Sequence, residues 1–223
     1  MKNKNIVIAL LMFSSLMACT PKETHNIVKE THVNAYQQPY SGKRVDVIIG
    51  SFENNSDYMR GLFTAGSDKL GNQANTILKT HLQQSNRFNV MDRQNMKSNM
   101  QEAKFMGAKQ NIKGAHYVVT GSVTEFGRKV TGSRMLGGIL GSSKQQTAYS
   151  KVSLNIVDVL TSQVVYSVQG AGEYTLSHEE LLGFGGSSGY DATLNGKVLN
   201  LSIMEAINNM TRDMQNNVWK IEK

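Results

Sequence analysis

The sequence predicts an α+β fold in which helices pack on one mixed sheet, as in an α/β sandwich. In the first half of the chain, strand-like alternation of apolar residues gives way twice to helical spacing. The second half carries three strand-like stretches in succession, and a long amphipathic stretch follows near the end. The predicted order is therefore β-α-β-α-β-β-β-α, which places helices on a mixed sheet.

The first half begins with a predicted buried strand over residues 44–52, RVDVIIGSF. A turn cluster and a loop rich in apolar residues follow it. Asp68 is the expected N-cap of a helix over residues 69–85, and residues 88–91 form a short strand. The helix has a single apolar stripe, made of Leu70, Ala74, Ile77, Leu78 and Leu82.

The next helix is predicted to begin after an Asp92 cap and to end near Gly107. Its apolar residues are mainly methionines, at positions 96, 100 and 106. Methionine-rich faces can be adaptable binding surfaces, but a helix packed on a sheet is the more ordinary interpretation, and we expect the latter.

Two strand-like arms, Tyr117–Phe126 and Ser150–Val159, flank a stretch of glycine, serine and a few apolar residues. A third strand, Val164–Glu173, follows a tight turn. The C-terminal helix has apolar residues from Leu199 to Val218, and Trp219 at its end is either a packing anchor or an interface residue. The tip between the two arms is too apolar for an ordinary solvated turn.

The N-terminus has the pattern of a secretory signal. Lys2 and Lys4 precede a short apolar run, and Leu16-Met17-Ala18-Cys19 resembles the bacterial lipobox. This resemblance implies cleavage before Cys19, acylation of Cys19, and anchoring in the outer membrane on its periplasmic side. We therefore expect a signal peptide over residues 1–18, a lipidated tether or surface strap over 19–43, and a folded domain over 44–223.

Composition and motifs argue against several classes of function. The net charge is +7, but the basic residues are scattered, so nucleic-acid binding is not expected. His178-Glu179-Glu180 lacks the second histidine of a zinc helix, and residues 138–144 fail the phosphate-loop pattern. The only cysteine is the one expected to be acylated. We predict neither an enzyme nor a metal site, and no cofactor besides the covalent lipid on Cys19.

Several stretches together resemble the CsgG/HfaB family of outer-membrane lipoproteins. Each is weakly diagnostic, but their order and spacing, together with the lipobox, are more specific. They are RVDVIIGSFENNSD at 44–57, RFNVMDRQNMKSNMQEAK at 87–104, AHYVVTGSVTEF at 115–126, SLNIVDVLTSQVVYSVQGAGE at 153–173 and GYDATLNGKVLNLSIMEAI at 189–207.

This resemblance implies a periplasmic α/β domain whose channel-forming members donate two β-hairpins per protomer to a shared transmembrane barrel. By position these hairpins would span about 121–156 and 168–191. The implied function is an oligomeric secretion channel that works by ungated diffusion. Candidate partners are further copies of the chain, a secreted amyloid or adhesin subunit and periplasmic accessory proteins.

The resemblance also suggests positions for two functional regions. A loop after the first strand narrows the pore in channel members, and the candidates here are Tyr58, Leu62 and Phe63. The tip of the first hairpin would enter the membrane, and its candidates are Met135, Leu136, Ile139 and Leu140.

The strand patterns leave two functions open. Residues 146–156 alternate well, as a barrel strand requires. Residues 121–131 carry charge on both faces if they alternate without interruption, with Phe126 and Arg128 opposite Glu125 and Lys129. Residues 181–191 are mostly glycine and serine, which form strands weakly. The alternative to a channel is therefore a periplasmic lipoprotein that stabilises an envelope or holdfast-like assembly without forming a pore.

Overall fold

The computed structural model describes residues 31–58, 68–134, 142–180 and 194–219, and those from His32 onward belong to one compact unit. The elements of the described part occur in the predicted order, which confirms the α+β fold. The strands are β1 (Val45–Asn54), β2 (Phe88–Val90), β3 (Tyr117–Arg134), β4 (Ser142–Asp158) and β5 (Val164–Glu180). The helices are α1 (Lys69–Gln84), α2 (Met96–Phe105) and α3 (Leu194–Gln215).

The strands form a mixed five-stranded sheet in the order β2-β1-β3-β4-β5. β1 is parallel to both β2 and β3, whereas β3, β4 and β5 form an antiparallel meander. β3, β4 and β5 are each 17 or 18 residues long, well beyond the arms expected from the sequence. At about 3.4 Å per residue, each of them runs roughly 58 Å.

Helices α1 and α3 contact each other and cover one face of the sheet. The predicted stripe of α1 is buried at Leu70, Ala74, Leu78 and Leu82. The predicted Asp68 cap is also confirmed, because its Oδ1 accepts a hydrogen bond from the Gly71 amide at 2.8 Å. The α3 residues in this core include Leu199, Ile203, Ile207 and Met210, all fully buried. Each such side chain contributes about 1.5–3 kcal/mol through burial.

Trp219 is a packing anchor. It is 6% exposed, and its ring stacks on Tyr166 with centroids 5.0 Å apart. Tyr166 also donates a hydrogen bond to Asp213 Oδ2 at 2.7 Å, which joins β5 to the end of α3. Burial, together with the Asp213 carboxylate, raises the pKa of the Tyr166 hydroxyl, so this group stays protonated and keeps donating.

The segment before β1 packs onto the helices, and we call residues 32–40 the strap. Val33 and Ala35 are buried, and the Asn34 amide donates to Asn208 Oδ1 of α3 at 2.8 Å. The Arg87 guanidinium lies 4.0 Å from the centroid of the Tyr40 ring. The compact unit thus includes residues 32–40, which belong to the stretch 19–43 predicted as a tether or surface strap. The two buried side chains are too few to produce a periodic signal.

Helix α2 differs from the prediction in its start and in its packing. It begins at Met96 after an Asn95 cap, because the Asp92 carboxylate is used in a preceding turn. There it accepts hydrogen bonds from the Gln94 amide at 3.2 Å and the Asn95 side chain at 2.6 Å. None of the ten residues of α2 is buried, so the expectation that this helix packs on the sheet is wrong. Helical spacing identifies an apolar stripe but not a partner opposite it.

Candidate functional site: the extended sheet

Strands β3, β4 and β5 extend beyond the helices that cover the rest of the sheet. The start of α3 marks this boundary, since Arg128 Nε of β3 donates to Asn195 Oδ1 at 2.7 Å. In the same row, Lys197 of α3 lies 5.0 Å from the centroid of the Tyr174 ring of β5. Past this row, residues 129–134, 142–147 and 175–180 remain paired with one another. These paired rows, which we call the extension, reach about 20 Å further at about 3.4 Å per residue.

The extension continues a rigid base, because α3 approaches β5 very closely. A side chain at Gly170 would overlap the Ser202 carbonyl and the Ala206 amide. A Cβ at Gly172 would lie 2.7 Å from Leu201 Cβ. Only glycine permits this distance between helix and strand. The contact is completed by the buried Ser202 hydroxyl, which donates to Ser150 Oγ of β4 at 3.2 Å.

The face of β3, β4 and β5 that α1 and α3 do not cover, called here the open face, carries mainly polar side chains, together with the exposed Tyr149. Lys151 and Glu125 form an ion pair at 3.4 Å across β4 and β3. Thr147 and Thr175 pair through their hydroxyls at 3.1 Å, and Ser167 donates to Asn155 Oδ1 at 2.7 Å. A sheet with one helix-covered and one polar face is typical of antiparallel strands in contact with water.

A β-bulge at Thr124 changes which residues of β3 reach the open face. Val123 pairs with Val152, but Glu125 pairs with Lys151, so Thr124 is an extra residue. Val123 and Phe126 are therefore both buried on the helix-covered side. Uninterrupted alternation, assumed in the sequence analysis, had placed them on opposite faces and was wrong. Charge still occurs on both faces, with Arg128 under α3 and Glu125 on the open face.

The loop after β1 includes the only predicted constriction residue that lies in the described part of the chain. Tyr58 is half-buried and packs on Phe126, with ring centroids 4.6 Å apart. Its carbonyl accepts a hydrogen bond from the Asn54 side chain at 3.1 Å. The other two candidates, Leu62 and Phe63, lie outside the described residues, so a ring of these three side chains stays a prediction.

The remaining predicted sites also lie outside the described residues. They are Cys19, the tip residues Met135, Leu136, Ile139 and Leu140, and the second arm of the second hairpin, 181–191. The first arm of that hairpin, 168–178, is part of β5 and pairs with β4 along its length.

Sequence reasoning missed two sets of exposed residues. One is α2 with its following loop, where Phe105 is 73% exposed and Met106 81%. The other is the turn between β4 and β5, where Leu160 is 93% exposed. The methionine content of α2 was a usable signal. The turn between β4 and β5 gave no such signal in the sequence, because a single leucine beside Thr161-Ser162 is common in a turn.

Among the residues described, no three histidine, cysteine, aspartate or glutamate side chains are placed to hold a metal ion together. No helix in the described part of the chain is both long and apolar enough to cross a membrane.

Comparison with solved structures finds chains with low sequence identity. The PelC dodecamer from Paraburkholderia phytofirmans has a TM-score of 0.35 and 16% identity, covering 76% of this chain and 91% of that one. Lipoprotein GNA1162 from Neisseria meningitidis has a TM-score of 0.32 and 14% identity, covering 77% of this chain and 99% of that one.

Comparison with known sequences gives much higher similarity. The protein named "Putative lipoprotein NMB1126/NMB1164" of Neisseria meningitidis serogroup B is 52% identical over 206 residues, which is 92% of each chain. The family described as curli production assembly/transport component CsgG matches residues 28–223. This match includes every described element of the sheet and all three helices. The chain therefore belongs to the CsgG family.

Proposed function

We propose that the chain is an outer-membrane lipoprotein that forms or supports an oligomeric secretion channel for extracellular fibre or adhesin subunits. Acyl chains on Cys19 would hold it on the periplasmic side of the membrane, because several acyl chains together anchor stably. Cargo would diffuse through the channel without gating, so no catalysis is required of the protein.

The observation that carries this proposal is the extension. Three strands continue their antiparallel pairing well past the row of Arg128 and Asn195, where α3 begins. A membrane-spanning strand needs about 9–11 residues. Of that length, the extension provides six residues in each of the three strands: 129–134, 142–147 and 175–180. The polar open face has the chemistry of a barrel lumen, which in channel proteins is polar.

One observation favours the alternative, a lipoprotein that stabilises an envelope assembly without spanning the membrane. β4 contributes polar residues to both faces of the extension, because Gln145 and Thr147 alternate with Gln146. A spanning strand alternates these with residues that face lipid and are apolar. Within the described rows, Gln146 is on the helix-covered side, where a lipid-facing side chain would be expected.

Imaging and conductance separate the two functions. The full acylated chain, extracted in detergent, would be imaged by electron microscopy and then added to planar lipid bilayers. The channel predicts rings with a central opening and stepwise ion conductance. Monomers or small oligomers, together with no conductance from well-folded acylated protein, would reject the channel and leave the stabilising function.

A further inference from the structure

Helix α2 and the loop after it carry large apolar side chains that the described part of the same chain leaves about half or more exposed. We call these residues the α2 patch. Its exposed apolar side chains are Met100 (48% exposed), Phe105 (73%), Met106 (81%) and Ile112 (50%). Single exposed apolar residues are normal on protein surfaces, but a group this large within one short segment is typical of an interaction site.

The α2 patch is tied to the rest of the domain on both sides, to α1 before it and to β1 after it. At the entry to α2, Asp92 forms an ion pair with Lys79 of α1 at 3.3 Å. After the patch, Lys113 forms an ion pair with the buried Asp46 of β1 at 2.8 Å, and the Lys113 carbonyl accepts from Arg93 at 2.6 Å. A surface held in this way loses little conformational entropy when it binds a partner.

A second apolar surface lies in the turn between β4 and β5, and we call it the turn patch. Val159 is 45% exposed, Leu160 93% and Val164 53%. This turn is also rigid, because Asp158 Oδ1 accepts from the Leu160 amide at 3.0 Å and from the Thr161 amide at 2.7 Å.

The two patches lie at the same end of the sheet. The turn patch joins the end of β4 to the start of β5, in the row that contains Tyr117, and the loop after α2 leads into Tyr117. This end is opposite to the extension. Across the sheet, the residues leading into α2 lie beside β1, where the Met91 amide donates to the Val47 carbonyl at 2.8 Å. Val164 is the first residue of β5, which is the edge strand at the opposite side of the sheet from β2.

We propose that the α2 patch of one copy docks on the turn patch of the next copy in a cyclic oligomer. This inference rests on the oligomeric assembly proposed above and names the contact that would build it. A cyclic ring requires two different surfaces that meet head to tail. A head-to-tail contact of this kind repeats by rotation about one axis, so the extensions of all copies would point the same way.

Charge favours this pairing over a symmetric contact between two α2 helices. Lys97, Lys104 and Lys109 are exposed on or next to α2, with Glu102 as the only acidic side chain from Met96 to Ile112. Two α2 patches facing each other would bring these lysines together. The turn patch has no basic residue between Asp158 and Val164, and it begins with a carboxylate. Hydrogen bonds from the Thr161 backbone hold the pKa of this Asp158 carboxyl below its usual range, so it carries a negative charge.

Cysteine cross-linking in cell envelopes tests the proposal on the full acylated chain. Two single variants, Met106→Cys and Leu160→Cys, would be produced together with different tags and treated with a short bismaleimide. Both positions are highly exposed, so neither change should disturb folding. The expected product is a dimer that carries both tags, and a chain with both substitutions should give a ladder of higher multimers. The matched control is Met106→Cys with Val218→Cys, since Val218 is 71% exposed but belongs to neither patch.

The other outcomes overturn the proposal. A dimer from Met106→Cys alone would mean a symmetric α2 contact, and cross-linking of Met106→Cys to a different protein would mean a different partner. Equal cross-linking to Val218→Cys would mean non-specific collision. If rings are imaged in the same preparation but the mixed-tag dimer is missing, this contact is wrong while the oligomer stands. If neither rings nor the dimer form, the oligomeric assembly is wrong as well.

Discussion

At the scale of single residues, two glycines of β5 determine how closely α3 lies on the sheet. Gly170 and Gly172 face the α3 backbone near Ser202, with no space for a side chain at either position. Interiors are packed densely enough that one added methyl group has to displace its neighbours. The extension begins only a few residues further along β5, so this contact sets the base from which it projects.

We expect Gly170→Ala to destabilise the protein by about 1–3 kcal/mol, the usual cost of inserting a carbon into a packed contact. The methyl group would overlap the Ser202 carbonyl and the Ala206 amide, which are backbone atoms and move only with the helix. Urea unfolding of the full chain in detergent would measure the change. Gly114→Ala is the control, because no atom lies within 4 Å of the added carbon. Equal stability of both variants would contradict the close contact.

At the scale of elements, α1 and α3 are joined by a buried polar contact as well as by apolar packing. The His81 ring of α1 is 3% exposed, and its Nε2 lies 2.8 Å from Asn200 Oδ1 of α3. Burial lowers the pKa of His81 below its ordinary value of 6.5, and the nearby His32 adds to this, while the contact with Asn200 opposes it. The folded state therefore favours the neutral form of the His81 ring.

This contact predicts a loss of stability in mild acid. Below pH 6.5 the unfolded chain binds a proton at His81 that the folded chain does not, so the free energy of unfolding falls until the lower folded pKa is reached. Melting temperatures between pH 7.5 and 5.5 should decline more steeply for the wild type than for His81→Gln. His116→Gln, at an exposed position, should keep the steep decline. The same slope in wild type and His81→Gln would contradict this role.

The elements α1, α2 and the strap differ in how well a sequence pattern predicts their packing. α1 was predicted with its cap and its stripe because both signals are local, from Asp68 to Leu82. α2 has the same kind of spacing, yet it lies exposed, because packing depends on what the rest of the chain places opposite. The strap was predicted only as part of a tether or surface strap over 19–43, because its packing depends on residues far along the chain, such as Asn208 of α3, which accepts from the Asn34 amide.

At the scale of the whole molecule, the helix-covered part and the extension differ in chemistry. The first has a core of apolar side chains on one face of the sheet, whereas β4 of the extension carries polar residues on both faces, with Gln146 alternating with Gln145 and Thr147. Sequence reasoning predicted the element order and the family, because both depend on patterns that run along the chain. The alternating arms alone ended too early, because polar residues pair in a ladder as readily as apolar ones do, whereas the family resemblance continued these strands through 121–131, 146–156 and 168–178.

The apolar tip between β3 and β4 allows a test of membrane entry. We expect serine at Leu136, Ile139 and Leu140 to impair insertion if the tip crosses lipid, since each change removes about 1.5–3 kcal/mol of favourable transfer. Ion conductance of the full acylated chain in planar lipid bilayers would measure insertion, because the acyl chains on Cys19 hold the chain on lipid whether or not the tip enters it. Val218→Ser changes an exposed apolar residue outside the tip and serves as the control. Unchanged conductance of the triple variant would place the tip outside the membrane.

The extra residue at Thr124 reverses the alternation of faces along β3. From Glu125 onward, each side chain lies on the face opposite to the one it would occupy in an uninterrupted strand. Phe126 therefore lies under the helices, whereas Glu125 does not. Deleting Thr124 would invert the remainder of the strand relative to β4. A chimera that exchanges this hairpin between family members should therefore be aligned from the bulge, because one misplaced residue would turn the polar face inward.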